Sequence, residues 1–262
     1  MERLEGRVAV ITGGAGGIGF GIAEAFVAEG VRVVLADVDG ARLAAAAERL
    51  DGDAIAVETD VTDPASVDAL AAAALDAFGA VHIVCNNAGV STIGYQWETP
   101  LDDWRWVIDV DLFGVVHGVR TFVPILLQQD EAHIVNTASM AGLMTSPGSA
   151  PYSAAKHAVI GLTKALRGEL AIKSPHVGVS VICPGEIATD MADRIRTKGT
   201  AKDAAHLDAL RARLTVAMAP IDVGRLLITA IREKTFWVLP NGPGHLPAVQ
   251  QELDELMGRS AS

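Results

Sequence analysis

The sequence predicts an α/β fold in which a doubly wound, mostly parallel sheet carries helices on both faces. Short β-branched runs alternate along the chain with longer stretches rich in Ala and Leu, which is the order of repeated strand–helix units. The predicted strands are almost continuously apolar, which is typical of strands buried on both faces of a parallel sheet. No linker, repeat or low-complexity segment divides this alternation, so we expect a single domain over residues 1–262.

The first half of the chain predicts four strand–helix units. The strands are the apolar runs at 8–11, 31–35, 54–57 and 81–84, and the helices are the stretches at 19–29, 41–50, 65–77 and about 101–127. The third helix has a clear start, because Asp63 is placed to cap it and Pro64 to occupy its first turn.

The second half continues the pattern with one interruption. Strands are predicted at 133–135, 177–182 and 236–239, and helices at 152–171 and 221–232. Residues 188–219 are rich in Ala, Arg and Met and have no strand pattern. A small helical flap over the substrate is the expected structure of this insert, because long structureless loops are uncommon in compact domains.

The composition excludes several classes of protein. Half of the 262 residues are hydrophobic and 20% are charged, so disorder of the whole chain is excluded. The formal net charge of -11 lacks the basic footprint of a nucleic-acid or anionic-membrane surface. Mean hydropathy is +0.32, yet no apolar run approaches the ~18–20 residues of a spanning helix. With two cysteines and no metal-ligand spacing, we expect a cytoplasmic protein without a disulfide scaffold or a metal. We expect no signal peptide, because the apolar strand pattern begins at Val8.

A glycine-rich turn follows the first predicted strand. Residues 12–21 read Thr-Gly-Gly-Ala-Gly-Gly-Ile-Gly-Phe-Gly. Glycine allows both a tight turn and the close approach of backbone to a pyrophosphate at a helix N-terminus. Two registers fit a dinucleotide fingerprint, one through Gly14, Gly16 and Gly19 and the other through Gly13, Gly17 and Gly19. The turn predicts a dinucleotide cofactor.

Asp37 ends the second predicted strand and bears on the choice of cofactor. A carboxylate at this place can accept hydrogen bonds from both hydroxyls of the adenosine ribose. It would repel a 2′-phosphate by several kcal/mol at a separation of ~4 Å and an effective dielectric constant of about 20. Neither Val38 nor residues 14–16 offer a basic partner for such a phosphate. The sequence therefore predicts NAD in preference to NADP.

Tyr152 and Lys156 are four residues apart on a predicted helix and therefore share a face. A tyrosine with a pKa near 10 is a poor base at neutral pH. An ammonium about 4–5 Å away, at a dielectric constant of about 20, lowers that pKa by about 2–3 units. Tyr152 could then take the proton of an alcohol during oxidation and return it during reduction.

Five motifs occur in order at predicted strand ends or at the start of the following element. They are the glycine-rich turn, Asn-Asn-Ala-Gly at 86–89, Ser139 after the fifth strand, Tyr152 with Lys156, and Pro-Gly-Glu-Ile-Ala-Thr at 184–189. Together they resemble the short-chain dehydrogenase/reductase family over about residues 6–190. The resemblance implies a Rossmann-like fold and an NAD-dependent oxidoreductase of a secondary alcohol/ketone pair. It also implies a homo-oligomer, either a tetramer or a dimer.

The resemblance assigns roles to the motif residues. It implies that Ser139 hydrogen-bonds the substrate oxygen, that Tyr152 is the general acid/base, and that Lys156 also holds the nicotinamide ribose. It places Asp60 and Val61 against the adenine. The other implied cofactor-binding residues are Gly13, Gly17, Ile18 and Gly19 at the turn, Asp37, Asn87 on the ribose side, and Pro184, Gly185, Ile187 and Thr189 around the nicotinamide carboxamide.

Asp111 departs from the family pattern and is included among the candidate catalytic residues. Residues 110–114 read Val-Asp-Leu-Phe-Gly, whereas the family usually has asparagine at the second of these positions. In the family, the main-chain carbonyl of that asparagine holds a water molecule that is connected to the lysine. A carboxylate near Lys156 would partly neutralise the charge that lowers the pKa of Tyr152. We expect an active enzyme with a more alkaline pH optimum for oxidation than its Asp111→Asn variant.

Other functions remain open on the sequence alone. A nucleotide-binding protein that has lost turnover and acts as a structural or sensor protein is one, with Asp111 as its support. A sugar-nucleotide epimerase or dehydratase is another, although such chains usually add a larger C-terminal domain. Trp97 either packs in the core or an interface, or borders the substrate. The substrate itself is not named by any motif.

Overall fold

One parallel sheet organises the structure, a computed structural model that describes residues 1–145, 147–197 and 201–259. Its strands are β1 (Val8–Thr12), β2 (Arg32–Asp37), β3 (Ala54–Glu58), β4 (Ile83–Asn86), β5 (Ala132–Thr137), β6 (Val177–Ile182) and β7 (Trp237–Val238). They pair in the order β3-β2-β1-β4-β5-β6-β7, and every pairing is parallel. The predicted doubly wound sheet is therefore confirmed.

The helices follow the strands nearly as predicted. They are α1 (Gly17–Ala28), α2 (Gly40–Glu48), α3 (Pro64–Phe78), α4 (Leu101–Ile108), α5 (Gly114–Leu126), α6 (Ala150–Lys173), α7 (Met191–Arg194), α8 (Ala201–Thr215), α9 (Pro220–Glu233) and α10 (Leu246–Leu256). The predicted cap of the third helix is confirmed, because the Asp63 side chain accepts a hydrogen bond from the N–H of Ala65 at 2.9 Å.

The prediction of one continuous helix over residues 101–127 is wrong in one respect. Five residues of π-helix, Asp109–Phe113, lie between α4 and α5. The N–H of Gly114 donates to the carbonyl of Asp109, five residues back, so this turn holds one residue more than an α-helical turn. The apolar pattern does not distinguish such a turn from regular helix. Asp111 lies within it and is fully buried.

Both faces of the sheet are covered by helices, as the apolar strands predicted. On one face α1 and α9 pack together, with Phe26 and Leu227 fully buried. On the other face α3, α5 and α6 bury Leu70, Phe122 and Val159. Because the faces are occupied, the strand ends are the places where polar side chains can meet a ligand.

The flap is helical, as predicted, in α7 and α8, and residues 198–200 of it lie outside the described residues. Two isolated bridges connect it to the rest of the fold. Arg196 pairs in parallel with Thr92, and Met218 pairs with Ile187. The start of the flap thereby lies against the loop after β4.

The sequence pattern predicts no element after residue 239, but the chain continues in regular structure. A 3-10 turn at Gly242–His245 leads into α10. Val249 of this helix packs against the core, whereas Leu246 and Leu253 stay exposed. None of the described helices is both long and apolar enough to cross a bilayer.

Candidate active site

A cleft of about 390 Å³ lies at the carboxyl ends of the strands, where a doubly wound sheet binds its ligand. Its wall includes most of the residues that the sequence analysis proposed. These are Gly13, Gly17, Ile18, Asp37, Asp60, Val61, Asn87, Tyr152, Lys156, Pro184 and Thr189. The remaining candidates, Ser139, Asp111, Gly19, Gly185 and Ile187, are not part of this wall.

Three of the five candidates outside this wall have contacts that explain where they lie. A Cβ on Gly19 would come within 2.2 Å of the carbonyl oxygen of Gly13, so glycine allows α1 to pack against the turn. The N–H of Gly185 donates to Asn241 Oδ1 at 2.7 Å. Ile187 is buried in the core. Their predicted contacts with a cofactor stay predictions.

The glycine-rich turn adopts the conformation that only glycine reaches easily. Gly13 and Gly17 have φ angles of 67° and 54°, in the left-handed region, whereas Gly16 is extended at 175°. This favours the register through Gly13, Gly17 and Gly19 over the alternative. Gly16 is the N-cap residue of α1 and has no side chain that could accept a hydrogen bond from the first turn. The first N–H groups of the helix are therefore available to an anion.

Two predicted acids line the cleft, one at the end of β2 and one just after β3. Asp37 is half-buried, and its Oδ2 accepts a hydrogen bond from the N–H of Ala15 at 3.2 Å. Asp60 is exposed, and its Oδ1 accepts from both the N–H and the hydroxyl of Thr62, at 2.9 and 2.7 Å. Each carboxylate keeps further acceptor positions for a ligand.

Thr12 connects the ends of β1 and β4 and was not identified from the sequence. Its Oγ1 accepts hydrogen bonds from the N–H groups of Asn87 and Ala88, at 2.9 and 3.0 Å. The Asn87 side chain donates to the Thr12 carbonyl at 3.1 Å and accepts from Thr137 at 3.3 Å. These bonds hold the floor of the cleft in one conformation.

Asn86 joins two neighbouring strands of the sheet. Its Nδ2 donates to Asn136 Oδ1 at 2.8 Å, across the β4–β5 pairing. Asn136 in turn donates to Thr163 on α6 at 3.0 Å. This buried network fixes α6 relative to the strand ends that line the cleft.

The catalytic candidates converge from two elements. Tyr152 and Lys156 lie on the same face of α6, with Lys156 Nζ 5.4 Å from the centre of the Tyr152 ring. Ser139 follows β5, and its hydroxyl accepts from the N–H of Ala141 at 3.1 Å and donates to the Pro184 carbonyl at 3.3 Å. A hydrogen bond also joins Ser139 to Tyr152.

Opposing influences act on the pKa of Tyr152, which is raised overall. Burial raises it most, because the phenolate loses solvation. The Lys156 ammonium lowers this pKa, the Asp111 carboxylate raises it, and the hydrogen bond with Ser139 lowers it. Asp111 therefore opposes the activation that Lys156 provides.

Asp111 and Lys156 form a buried ion pair. The carboxylate Oδ2 lies 3.1 Å from Lys156 Nζ, and the two side chains are 0% and 2% exposed. Asp111 Oδ1 accepts from the N–H of Val90 at 2.7 Å, and Lys156 also donates to the Thr137 carbonyl at 3.2 Å. Burial is the largest single influence on the pKa of Lys156 and lowers it, but the Asp111 carboxylate and Tyr152 together raise this pKa overall. The pKa of Asp111 is itself raised, chiefly by burial.

The outer part of the cleft includes apolar residues, of which Met191 belongs to the predicted flap, whereas Trp106 and Val110 were not predicted to lie there. Trp106, Val110 and Met191 contribute to the wall. The Arg196 guanidinium lies 3.5 Å from the centre of the Trp106 ring. Trp106 and Val110 share a helix face at a spacing of four, a signal that could have identified them. Trp97 is 76% exposed and is not part of this wall.

No cluster of three metal-ligating side chains occurs among the residues that the structure describes.

Comparison with known proteins agrees with this geometry. The family model for short chain dehydrogenase matches residues 7–200. The 1-deoxy-11-beta-hydroxypentalenate dehydrogenase of Streptomyces avermitilis is 42% identical over 194 residues, which cover 72% of this chain and 71% of the relative.

Solved structures extend the similarity to the whole chain. A short chain dehydrogenase/reductase from Burkholderia phymatum in complex with NAD has a TM-score of 0.93 and 40% identity, covering 100% of this chain and 98% of that one. A 3-ketoacyl-(acyl-carrier-protein) reductase from Brucella melitensis complexed with NADH has a TM-score of 0.78 and 28% identity, covering 90% and 97%. With its fold, its cleft and its family model in agreement, this chain belongs to the short-chain dehydrogenase/reductase family.

Proposed function

We propose that the protein is an NAD-dependent oxidoreductase that transfers a hydride between nicotinamide and a secondary alcohol or ketone. The observation that carries the proposal is that one cleft contains Tyr152 and Lys156 together with the glycine-rich turn and Asp37. An acid/base pair and a dinucleotide site therefore open into the same space. The complexes of the Burkholderia and Brucella proteins with NAD and NADH support the choice of cofactor.

The residues present fit a dinucleotide. A Cβ on Gly13 would lie 2.9 Å from the Ala88 Cα, which leaves no room for a side chain there. A Cβ on Gly17 would lie a tight 3.3 Å from Thr189, at a φ angle that favours glycine. Gly13, Gly17 and the N-terminus of α1 would hold the diphosphate. Asp37 would accept hydrogen bonds from the adenosine ribose and repel a 2′-phosphate, which favours NAD.

The remaining cofactor contacts follow the family pattern. Ile18 and Gly19 would support the diphosphate from the start of α1, and Asp60 and Val61 would border the adenine. Asn87 and Lys156 would border the nicotinamide ribose. The carboxamide would be held by the segment after β6, which contributes Pro184, Gly185, Ile187 and Thr189.

The proposed proton transfer runs through Tyr152. During oxidation the Tyr152 phenolate would take the hydroxyl proton of the alcohol. NAD, held by the residues named above, would supply the acceptor for the hydride from the carbon that bears this hydroxyl. Ser139 hydrogen-bonds the substrate oxygen, and Lys156 stabilises the phenolate through its positive charge. In reduction Tyr152 returns the proton to the carbonyl oxygen. Asp111 acts through Lys156 and is therefore a positioning residue.

The apolar outer wall favours a hydrophobic substrate. Trp106, Val110 and Met191 would contact the substrate beyond its reacting carbon. The name of the Streptomyces relative describes oxidation of a hydroxylated compound, and that of the Brucella protein describes reduction of a ketone. Both names fit the proposed alcohol/ketone pair.

The test is NAD reduction by the purified full-length protein with a panel of apolar secondary alcohols, and NADH oxidation with the matching ketones. Tyr152→Phe removes the proton-transferring hydroxyl, and we expect at least about a hundredfold loss of kcat with NAD binding retained, the lower range for loss of a general acid/base. Turnover by Tyr152→Phe at the wild-type rate would contradict the assignment.

A sensor function is the second candidate, and the Asp111–Lys156 pair favours it. A lysine held by a buried carboxylate at 3.1 Å activates Tyr152 less than an unpaired lysine does. Tight NAD binding without turnover of any alcohol or ketone, in either direction, would support the sensor over the enzyme.

The proposal also includes the organisation of the protein. One domain would span residues 1–262, with the flap at 188–219, and copies of the chain would associate as a dimer or tetramer. Light scattering of the purified protein measures the oligomer, and a monomeric mass at micromolar concentration would contradict that part.

A further inference from the structure

Three charged side chains meet at the rim of the cleft, between the flap and the glycine-rich turn. Arg42 Nη2 lies 2.7 Å from Asp190 Oδ2, and Arg194 Nη2 lies 3.1 Å from the same oxygen. Arg42 belongs to α2, whereas Asp190 directly precedes α7 and Arg194 ends it. One carboxylate oxygen therefore pairs with guanidinium groups from both sides of the rim.

Arg42 also adjoins the part of the cleft that contains Asp37. A Cβ built on Gly16 would lie 3.0 Å from Arg42 Nη2. Asp37 accepts its hydrogen bond from Ala15, the residue next to Gly16. The turn itself, residues 13–19, contains no lysine or arginine. Arg42 is therefore a cation within reach of a phosphate on the ribose that Asp37 is proposed to bind.

We propose that Asp190 is a second determinant of cofactor selection, because its pairing with Arg42 withholds that guanidinium from the 2′-phosphate of NADP. The inference rests on the proposed nicotinamide cofactor. Asp37 acts against the 2′-phosphate by direct repulsion, whereas Asp190 acts by engaging the neighbouring cation. Selection for NAD then depends on the flap as well as on the end of β2.

The experiment compares the wild type with Asp190→Asn, which keeps the size of the side chain and removes its charge. Dissociation constants for NAD and NADP are measured by tryptophan fluorescence, for which Trp106 in the cleft wall is a reporter. The ratio of the two dissociation constants reports only the effect of the 2′-phosphate on binding, because NAD and NADP share all their other groups, including the diphosphate. We expect Asp190→Asn to favour NADP relative to NAD by about two- to fivefold, the range of one partly exposed charge interaction.

Two further variants make the test specific. Asp193→Asn removes a carboxylate from α7, the short helix that follows Asp190, but the partner of Asp193 is Arg211 at 2.8 Å, so the ratio should not change. The double variant Asp190→Asn with Arg42→Gln should return to the wild-type ratio. The gain of Asp190→Asn should also diminish at high salt, because exposed charges are screened.

The outcomes separate this inference from the proposed function. Wild-type protein that binds NAD, with an unchanged ratio in Asp190→Asn, overturns the role of Asp190 alone. A gain that persists without Arg42 overturns the role of Arg42. Wild-type protein that binds neither cofactor overturns the proposed function itself.

Discussion

Replacing Asp111 with asparagine tests how a buried carboxylate adjusts the proposed general base. Asparagine keeps the shape of the side chain and an oxygen that can accept from the N–H of Val90, but it removes the negative charge beside Lys156. Since the Asp111 charge raises the pKa of Tyr152, the variant should have a lower Tyr152 pKa. Oxidation needs the phenolate, so the rising limb of its pH profile should move to lower pH.

The size of the shift follows from two distances. Lys156 Nζ lies 3.1 Å from the Asp111 carboxylate and 5.4 Å from the centre of the Tyr152 ring. The carboxylate is therefore within ~8.5 Å of the ring, where a unit charge contributes about 2 kcal/mol at a dielectric constant of about 20, or about 1.4 pKa units. Because ~8.5 Å is the largest separation that these distances allow, we expect the limb to move down by at least about 1.4 pH units.

Two measurements check this shift independently. The first is kcat/KM for oxidation against pH at constant ionic strength. The second uses the fact that the chain has two tyrosines, so a Tyr95→Phe background leaves the tyrosinate absorbance to report on Tyr152 alone. That titration follows the pKa without requiring turnover.

Asp109→Asn is the matched control, because Asp109 lies in the same π-helical turn but is exposed. It should leave both titrations unchanged. Thermal denaturation of each variant checks that the fold is intact. Coincident profiles for the wild type and a folded Asp111→Asn, or a shift to higher pH, would refute the reasoning.

Two further predictions concern stability. Gly118→Ala should lower the free energy of unfolding by about 1–3 kcal/mol in urea titrations, because the new Cβ would lie 2.0 Å from Asn86 Oδ1 in a packed core. The control Gly161→Ala should be neutral or stabilising, because a Cβ there has nothing within 4 Å. Equal effects of the two substitutions would contradict the packing argument. Burial lowers the pKa of His133 to about 3, so below pH ~6.5 the unfolded chain binds more protons than the folded chain does. The contribution of His133 to the free energy of unfolding therefore falls by up to about 1.4 kcal/mol for each pH unit from pH ~6.5 down to pH ~3. His133→Gln should flatten that slope and His157→Gln should not; equal slopes in the wild type and His133→Gln would disprove the role of His133.

The sequence predicted several residues of the cleft wall because steric and local rules determine where they lie. Gly13 and Gly17 take φ angles that other residues rarely adopt, so the residue type itself reports the backbone conformation. Asp37 was located by its place at a strand end, and parallel strands bring their carboxyl ends to one edge. Tyr152 and Lys156 followed from helical periodicity.

The parts that the sequence did not predict depend on tertiary contacts or on subtle changes of helix geometry. The π-helical turn around Asp111 differs from α-helix by one residue, and an apolar pattern does not register that difference. The ion pair of Arg42 with Asp190 joins residues far apart in sequence, and its charges resemble any solvated surface. Thr12 was overlooked because its role, bonding the backbone after β4, arises only when two strands are adjacent.

The two halves of the cleft are held by different forces, and this separates their functions. The turn at Gly13 is fixed by backbone conformation and by the hydrogen bonds of the neighbouring Thr12. The flap is attached in part through ion pairs at the surface, such as Arg196 with Asp103 at 3.4 Å. An exposed pair contributes about 0–1 kcal/mol, far less than burial of a large core side chain. We therefore expect substitutions in the flap to change which molecule enters the outer cleft while the turn at Gly13 keeps its geometry.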